Sequence, residues 1–342
     1  MSVAKIGAAS YRLKNVGIKG TAAVVGPKEG QGPLGAYFDK VWVSETNHET
    51  SFERAERALL EEALNLAVKK ANCSWDDVDL VLGGDLLDQI VSTNFVARQH
   101  ERPLLGLFAA CAVFTEALGL GALLIAGQGP KRVAVGAVSH HMAAERQFRF
   151  PIELGYQRTP TAAWTATAAG AAILGVAQYE DLLVDTVTFG RVIDYGSKDP
   201  NDMGSAMAPA ALDSIERHLA ATGDRIEDYD GIFTGDLGVF GIDLLQELGS
   251  AAGLRFGDRL NDCGKSLYYL KEQDVHNGAS GPGCSAGVFS GYLYQRLKKG
   301  DWQRLLLVAT GALFSPTTYQ QGETIPCIAH AVTVSSPGAH AR

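Results

Sequence analysis

Apolar and polar positions follow two different periods along this chain. Phe52, Ala55, Ala58, Leu59, Ala63, Leu64 and Ala67 recur at helical spacing, which predicts an amphipathic helix over 51–71. Ser51 supplies half of a capping box, because Arg54 rather than an acid or amide stands three positions on. Asp79-Leu-Val-Leu-Gly-Gly-Asp85 reads as a buried strand ending in a turn. Thr21 to Gly35 holds too many Gly and Pro for an element interior and is expected to be a loop. The most apolar stretch, Gly106 to Gly127, predicts a short strand, a sharp turn at Ala109-Ala110 and a helix opening at Cys111. From Ala112 to Ala126 only Thr115 and Glu116 are polar, so this helix has no wet face and belongs in a core. Gly119 and Gly121 each weaken it by up to about 1 kcal/mol relative to Ala. Their presence predicts the close approach of another backbone.

The pattern repeats. Asp77 to Leu86 and Asp228 to Leu237 both read D-x-D-x-x-x-x-G-D-L, each after an amphipathic helix, the second at roughly 206–221. Cys111 aligns with Cys284, and a Gly follows each by 16 residues, at Gly127 and Gly300. Strand-like runs then match at Lys131–Ala137 and Gln303–Ala312, and again at Gly170–Val176 and Ala329–Val334. Asp85 to Cys111 is 26 residues and Asp236 to Cys284 is 48, so the second half carries an insertion of about 22 between Leu237 and Gly283. The first half has its own, over His140 to Pro160. Helix–strand alternation in both copies implies an α/β protein with mainly parallel sheets covered by helices. The expected architecture is two pseudo-twofold-related βαβαβ-type halves, 1–185 and 186–342, with the two helices that follow Cys111 and Cys284 buried side by side between the sheets.

Composition narrows the function. The chain has 342 residues, 46% hydrophobic and 20% charged, with a formal net charge of −8, which argues against generic nucleic-acid binding. Five cysteines stand far apart with no CxxC pair, so neither a zinc site nor a disulfide framework is expected, and a reducing compartment is implied. The N-terminus lacks the apolar core of a signal peptide. The apolar run Ala117 to Ala126 falls short of the roughly 18 residues of a membrane span, so any membrane association is expected to be peripheral. No cofactor and no resident metal are expected.

Cys111 has two readings. At a helix N-terminus it faces unpaired amides and the positive end of the dipole, which lower a thiol pKa from about 8.5. Alternatively it is a small buried hydrophobe.

Two α/β halves, each with a central buried helix and a Cys opening the first, resemble the thiolase superfamily over nearly the whole chain. Longer strings are more specific. Thr21–Phe38, Gly83–Gln89, Ala144–Pro151, Asp199–Pro209, Ala309–Pro316 and Glu323–Pro326 resemble the stage V sporulation protein AD family. That resemblance implies a thiolase-like fold and a component of the spore's dipicolinic acid transport apparatus, acting in sporulation and germination. It implies a soluble protein of the forespore and spore, peripheral to the inner membrane, that itself binds dipicolinic acid, alone or as its calcium chelate. The implied protein partners are other subunits of the dipicolinate channel, and a homodimer paired through a sheet edge, as thiolase-like folds usually pair.

A thiolase-type reaction needs a thiolate, a base and donors for an oxyanion. Cys111 matches the nucleophile position. Condensing enzymes bring His with His, or His with Asn, from the second half. The first such position follows the strand ending Phe233-Thr234-Gly235-Asp236, where no His stands. The second lies in Gly278-Ala-Ser-Gly-Pro-Gly-Cys284, again without His or Asn, although His276 and Asn277 lie just upstream. Binding rather than turnover is therefore expected. The alternative is a thiolase-like acyltransferase using Cys111 with an unusual set of partners.

A planar dicarboxylate calls for cationic or N–H donors and an apolar slot. Ligands of open α/β sheets bind beyond the strand C-termini. There the sequence offers Cys111, Asp85, Asp236, and the polar run Ser139 to Arg149 with His140, His141, Arg146 and Arg149. The helix N-terminus at Cys111 is a further anion site. Asp85 or Asp236 would face calcium, if the chelate is the ligand. Each has a plainer reading: arginines paired with neighbouring acids, one core and one surface histidine, and aspartates that cap the next helix or turn.

Overall fold

The computed structural model describes residues 2–148 and 157–338. Ten strands form its main sheet path. From one edge they are Leu260–Asp262, Gly231–Thr234, Arg304–Ala312, Cys327–Ser335, Leu182–Thr188, Val16–Val25, Ala168–Val176, Arg132–Ser139, Leu80–Gly84 and Leu104–Gly106. The order is palindromic. Reading inward from either edge, the first three strands run parallel and the next two antiparallel. The halves join where Leu182 and Leu183 pair antiparallel with Ile18 and Gly17. Residue 185 lies inside one of these joining strands.

This sheet is less parallel than the alternation of elements suggested. In each half the last helical crossover precedes the third strand. The chain then returns without a covering crossover helix, which makes the neighbours antiparallel. Strand alternation also sorts the layers. Val133, Val135 and Ala137 face the central core, whereas Ala134 and Val138 face the outer core under helix Phe52–Lys70. In the second half Leu305 and Leu307 face the centre, and Leu306 and Val308 face the core of helices Met203–Thr222 and Gly238–Ala251. Two helical segments fill the centre. One is Val113–Ala126; the other starts as Pro282–Val288 and continues through a π turn, Phe289–Leu293, to Lys298. Phe114 and Phe289 meet there at 5.5 Å.

Several local expectations are corrected. The strand Val16–Val25 runs through Thr21 to Val25, so the loop starts later than the Gly/Pro count suggested. Those five residues are small or β-branched and pair along their length with Ala168–Ala172. Gly119 and Gly121 make room for side chains, not backbone: added Cβ atoms would meet Val187 and Leu174. The close backbone approach is elsewhere. A Cβ at Gly170 would lie 2.1 Å from the Ala286 carbonyl, and one at Gly283 2.0 Å from Ala168 O. These two glycines let the second central helix lie directly on the sheet.

Candidate functional site

Cys111 sits in a single 3₁₀ turn, Ala110–Ala112, just before the first central helix. Ala110 takes a left-handed φ of 50°, which gives the turn its sharpness. At the matching end of the second half, Asp236 follows strand Gly231–Thr234. The two side chains meet at the floor of a cavity of about 750 Å³. Its polar floor is completed by Ser280. Its walls are largely apolar: Leu86, Phe108, Phe148, Met203, Met207 and Phe314 among them.

Asp236 is buried and richly bonded. Its Oδ2 accepts from Ser280 Oγ (3.2 Å) and Gly281 N (3.0 Å), and its Oδ1 accepts from Thr310 Oγ1 (3.1 Å). Burial raises its pKa to about 7, opposed by hydrogen bonds from Cys111, Gly281 and Thr310 and helped by the charge of Asp262. Burial also pushes the Cys111 thiol well above its usual range, and the Asp236 carboxylate beside it pushes the same way. The helix N-terminus does not overcome these two effects. Near neutral pH the floor is therefore a thiol beside a carboxyl group, not a thiolate beside a base.

The remaining sequence candidates fall elsewhere. Asp85 is buried but turned into its own half, where Oδ1 accepts from Leu87 N (3.1 Å) and Oδ2 from Thr93 N (2.9 Å) and Thr93 Oγ1 (2.8 Å). It secures the entry to helix Val91–Gln99, the plainer of its two readings. Burial raises its pKa to about 6. His140 is buried outside the cavity, with Nε2 2.9 Å from Glu45 O and its ring 5.5 Å from Phe52; burial lowers its pKa. His141 stacks on Trp164 at 3.7 Å. Arg146 pairs with Glu53 at 3.6 Å over the Phe52 ring. None of these four side chains is among the described cavity walls, and Arg149 lies outside the described residues. His276 bonds Thr159 O and Asp274, while Asn277 accepts from Phe240 N and donates to Leu237 O, so neither replaces a catalytic partner of Cys111.

The segments themselves do converge as the strand-end rule predicts. Helix His141–Phe148 contributes Ala144, Glu145, Gln147 and Phe148 to the wall. Gln147 ties that helix to the loop after Leu80–Gly84: its Oε1 accepts from Asp88 N (3.1 Å) and its Nε2 donates to Leu86 O (3.3 Å). The same loop holds Gln89 and Ile90 in succession at left-handed φ, 61° and 46°, a strained rim. Ser280, Thr310 and the apolar wall were not picked out from sequence. Only Ser280, inside the Gly-rich turn, carried a signal.

Solved structures with this fold are condensing enzymes. 3-Oxoacyl-[acyl-carrier-protein] synthase III from Aquifex aeolicus VF5 matches with a TM-score of 0.57 and 15% identity, over 94% of this chain and 99% of that one. A variant of OleA from Xanthomonas campestris matches with a TM-score of 0.61 and 12% identity, over 94% and 98%. The fold is thus thiolase-like, and the position beside Cys111 holds an aspartate, Asp236. The profile of the family described as Stage V sporulation protein AD (SpoVAD) matches residues 7–335. Stage V sporulation protein AD of Bacillus subtilis (strain 168) is 44% identical over 319 residues, 93% of each chain. The chain belongs to the stage V sporulation protein AD family, and its role lies in sporulation.

Proposed function

We propose that the cavity above Cys111 and Asp236 binds dipicolinic acid, alone or as its calcium chelate, without chemical turnover. On this reading the protein is a ligand-binding component of the spore's dipicolinate transport apparatus, acts in sporulation and germination, and works at the inner membrane of the forespore and spore with other channel subunits. No helix among the described residues is long and apolar enough to cross a membrane, so those subunits would supply the span.

The observation that carries the reading is the floor of the cavity. A space large enough for a small planar ligand sits over the nucleophile position of a condensing fold, but the thiol there is held protonated by burial and a carboxyl neighbour. Such a floor favours binding over acyl transfer. Apolar and aromatic walls suit the flat ring, and floor donors suit its carboxylates. Calorimetric titration with dipicolinate, with and without calcium, tests it. Saturable binding together with an unchanged mass of Cys111 after incubation with acyl-CoA is expected. An acyl adduct on Cys111 would establish the transferase alternative, and the absence of heat in either titration would leave the fold without this ligand.

A further inference from the structure

The described wall of the cavity carries the carboxyl groups of Asp88, Glu145 and Asp236, and among the described residues no Lys, Arg or His side chain. Among the described residues a dicarboxylate entering it meets no side-chain cation to offset its charge. A neutral donor at the floor would offset part of that charge, and Asp236 has the geometry to supply one. Its Oδ2 already accepts two hydrogen bonds, from Ser280 and Gly281, while Oδ1 accepts one, from Thr310. The Cys111 thiol also bonds this carboxylate, and of the two oxygens Oδ1 accepts the fewer hydroxyl and backbone bonds, which leaves it the more room for a proton.

Burial and the charge of Asp262 favour that proton, while the hydrogen bonds from Cys111, Gly281 and Thr310 oppose it. Cys111 approaches from the turn before the first central helix, and Cys284 from the second. Asp262 and Cys263 approach from the neighbouring edge strand and the short helix after it, and Cys327 from the antiparallel strand beyond. Each is neutral or negative, and none is a cation. Burial among such groups stabilises the neutral acid, consistent with a pKa of about 7.

We propose that Asp236 binds its ligand as the neutral acid, donating Oδ1–H to a ligand carboxylate, so that binding carries a proton and weakens as the pH rises past neutrality. This rests on the dipicolinate reading above. No bond is made or broken: the proton stays shared between Asp236 and the ligand, and solvent supplies it whenever Asp236 was ionised beforehand. An O–H to carboxylate bond is short and charge-assisted, which favours a carboxylate over an uncharged analogue of the same shape.

The test is calorimetry of dipicolinate binding to the full chain in calcium-free buffer between pH 5.5 and 8.5, repeated in two buffers of different ionisation enthalpy. Above pH 7 the affinity should fall about tenfold per pH unit, with uptake of close to one proton, and it should level off at the acid end. Asp236→Asn keeps an N–H donor and should bind with a flat pH profile and no proton uptake. Asp236→Ala, checked for folding by circular dichroism, should lose at least about tenfold at pH 6. Binding by the wild type with a flat profile, or an Asn variant with the wild-type slope, overturns this inference alone. No binding at any pH overturns it together with the dipicolinate reading.

Discussion

Asp85 and Asp236 close the same motif in the two halves, yet one serves the fold and the other the cavity. The cause lies on the neighbouring edge strands. Gly83 pairs with Gly106 in the first half, and Thr234 with Asp262 in the second, each two residues before the motif aspartate. Gly106 and Asp262 are thus counterparts. Asp262 takes over the local bonding: its carboxylate accepts from Thr234 Oγ1 (2.7 Å), Leu237 N (2.9 Å), Gly238 N (3.0 Å) and Lys265 N (2.8 Å). Asp236 is released to face Cys111. Gly106 has no side chain, and a Cβ there would lie 2.1 Å from Ile90 Cδ1, so Asp85 must satisfy the loop and helix entry itself. The cysteines diverge in parallel. Cys284 is fully buried with Sγ 3.6 Å from Gly235 O, whereas Cys111 reaches the cavity floor.

This contrast can be broken by substitution. Asp262→Ala should cost most, because it strands four donors in a dry core; a loss of about 3–5 kcal/mol is expected at 1–3 kcal/mol per unsatisfied group, less what relaxation recovers. Urea denaturation measures it, and a loss below about 1 kcal/mol would remove Asp262 from its assigned role. Asp85→Ala strands three donors and should cost roughly 2–3 kcal/mol, while dipicolinate affinity stays within about threefold. Asp236→Ala should show the reverse, with a smaller stability change than Asp262→Ala, since Ser280 lines the cavity and can turn to water there, and a large loss of binding. Equal effects of the two substitutions on binding would mean that the halves do not differ as described.

A pH series sharpens the same point. The folded pKa of Asp236 lies at about 7, above the usual carboxyl value of 3.8. The native state therefore holds this proton more tightly than the unfolded chain, and the group's favourable contribution is present at acid pH and lost as the pH rises. Relative to Asp236→Asn, the wild type should lose stability between about pH 4 and 7 and no more above that. Denaturation midpoints of both proteins across this range give the difference directly. A relative gain with rising pH would contradict a raised pKa. The smallest effect is expected at His140 and Arg146. His140→Ala and Arg146→Ala should leave dipicolinate affinity within about twofold, because neither side chain reaches the cavity wall.

Much of the architecture was legible because it is written twice. The D-x-D-x-x-x-x-G-D-L motif and the Cys-to-Gly spacing located both copies, and an apolar run with only Thr115 and Glu116 polar could fill only a central layer. What sequence could not separate was Asp85 from Asp236, since identical local strings carry them. Their difference depends on Gly106 and Asp262, residues that become neighbours only once strand register is set. The polarity of Ser139 to Arg149 suggested cavity donors, but its helix turns Ala144, Gln147 and Phe148 inward while His141 stacks on Trp164. Polarity alone does not say which face of a helix meets a ligand. Of the two readings of the thiol, the fold favours the buried one for a similar reason: dipole and amides are local and visible, whereas desolvation and the contact with Asp236 arrive with the fold.

The central claim is that the space above Cys111 is a ligand site. Cys111→Trp tests it most directly, because the indole would fill the floor of the cavity without removing a hydrogen bond made by Asp236 to Ser280, Gly281 or Thr310. Isothermal titration with dipicolinate, on a variant whose circular dichroism and urea midpoint show that it folds, should give no saturable binding where the wild type binds. Wild-type affinity in that folded variant would place the ligand elsewhere and contradict the account.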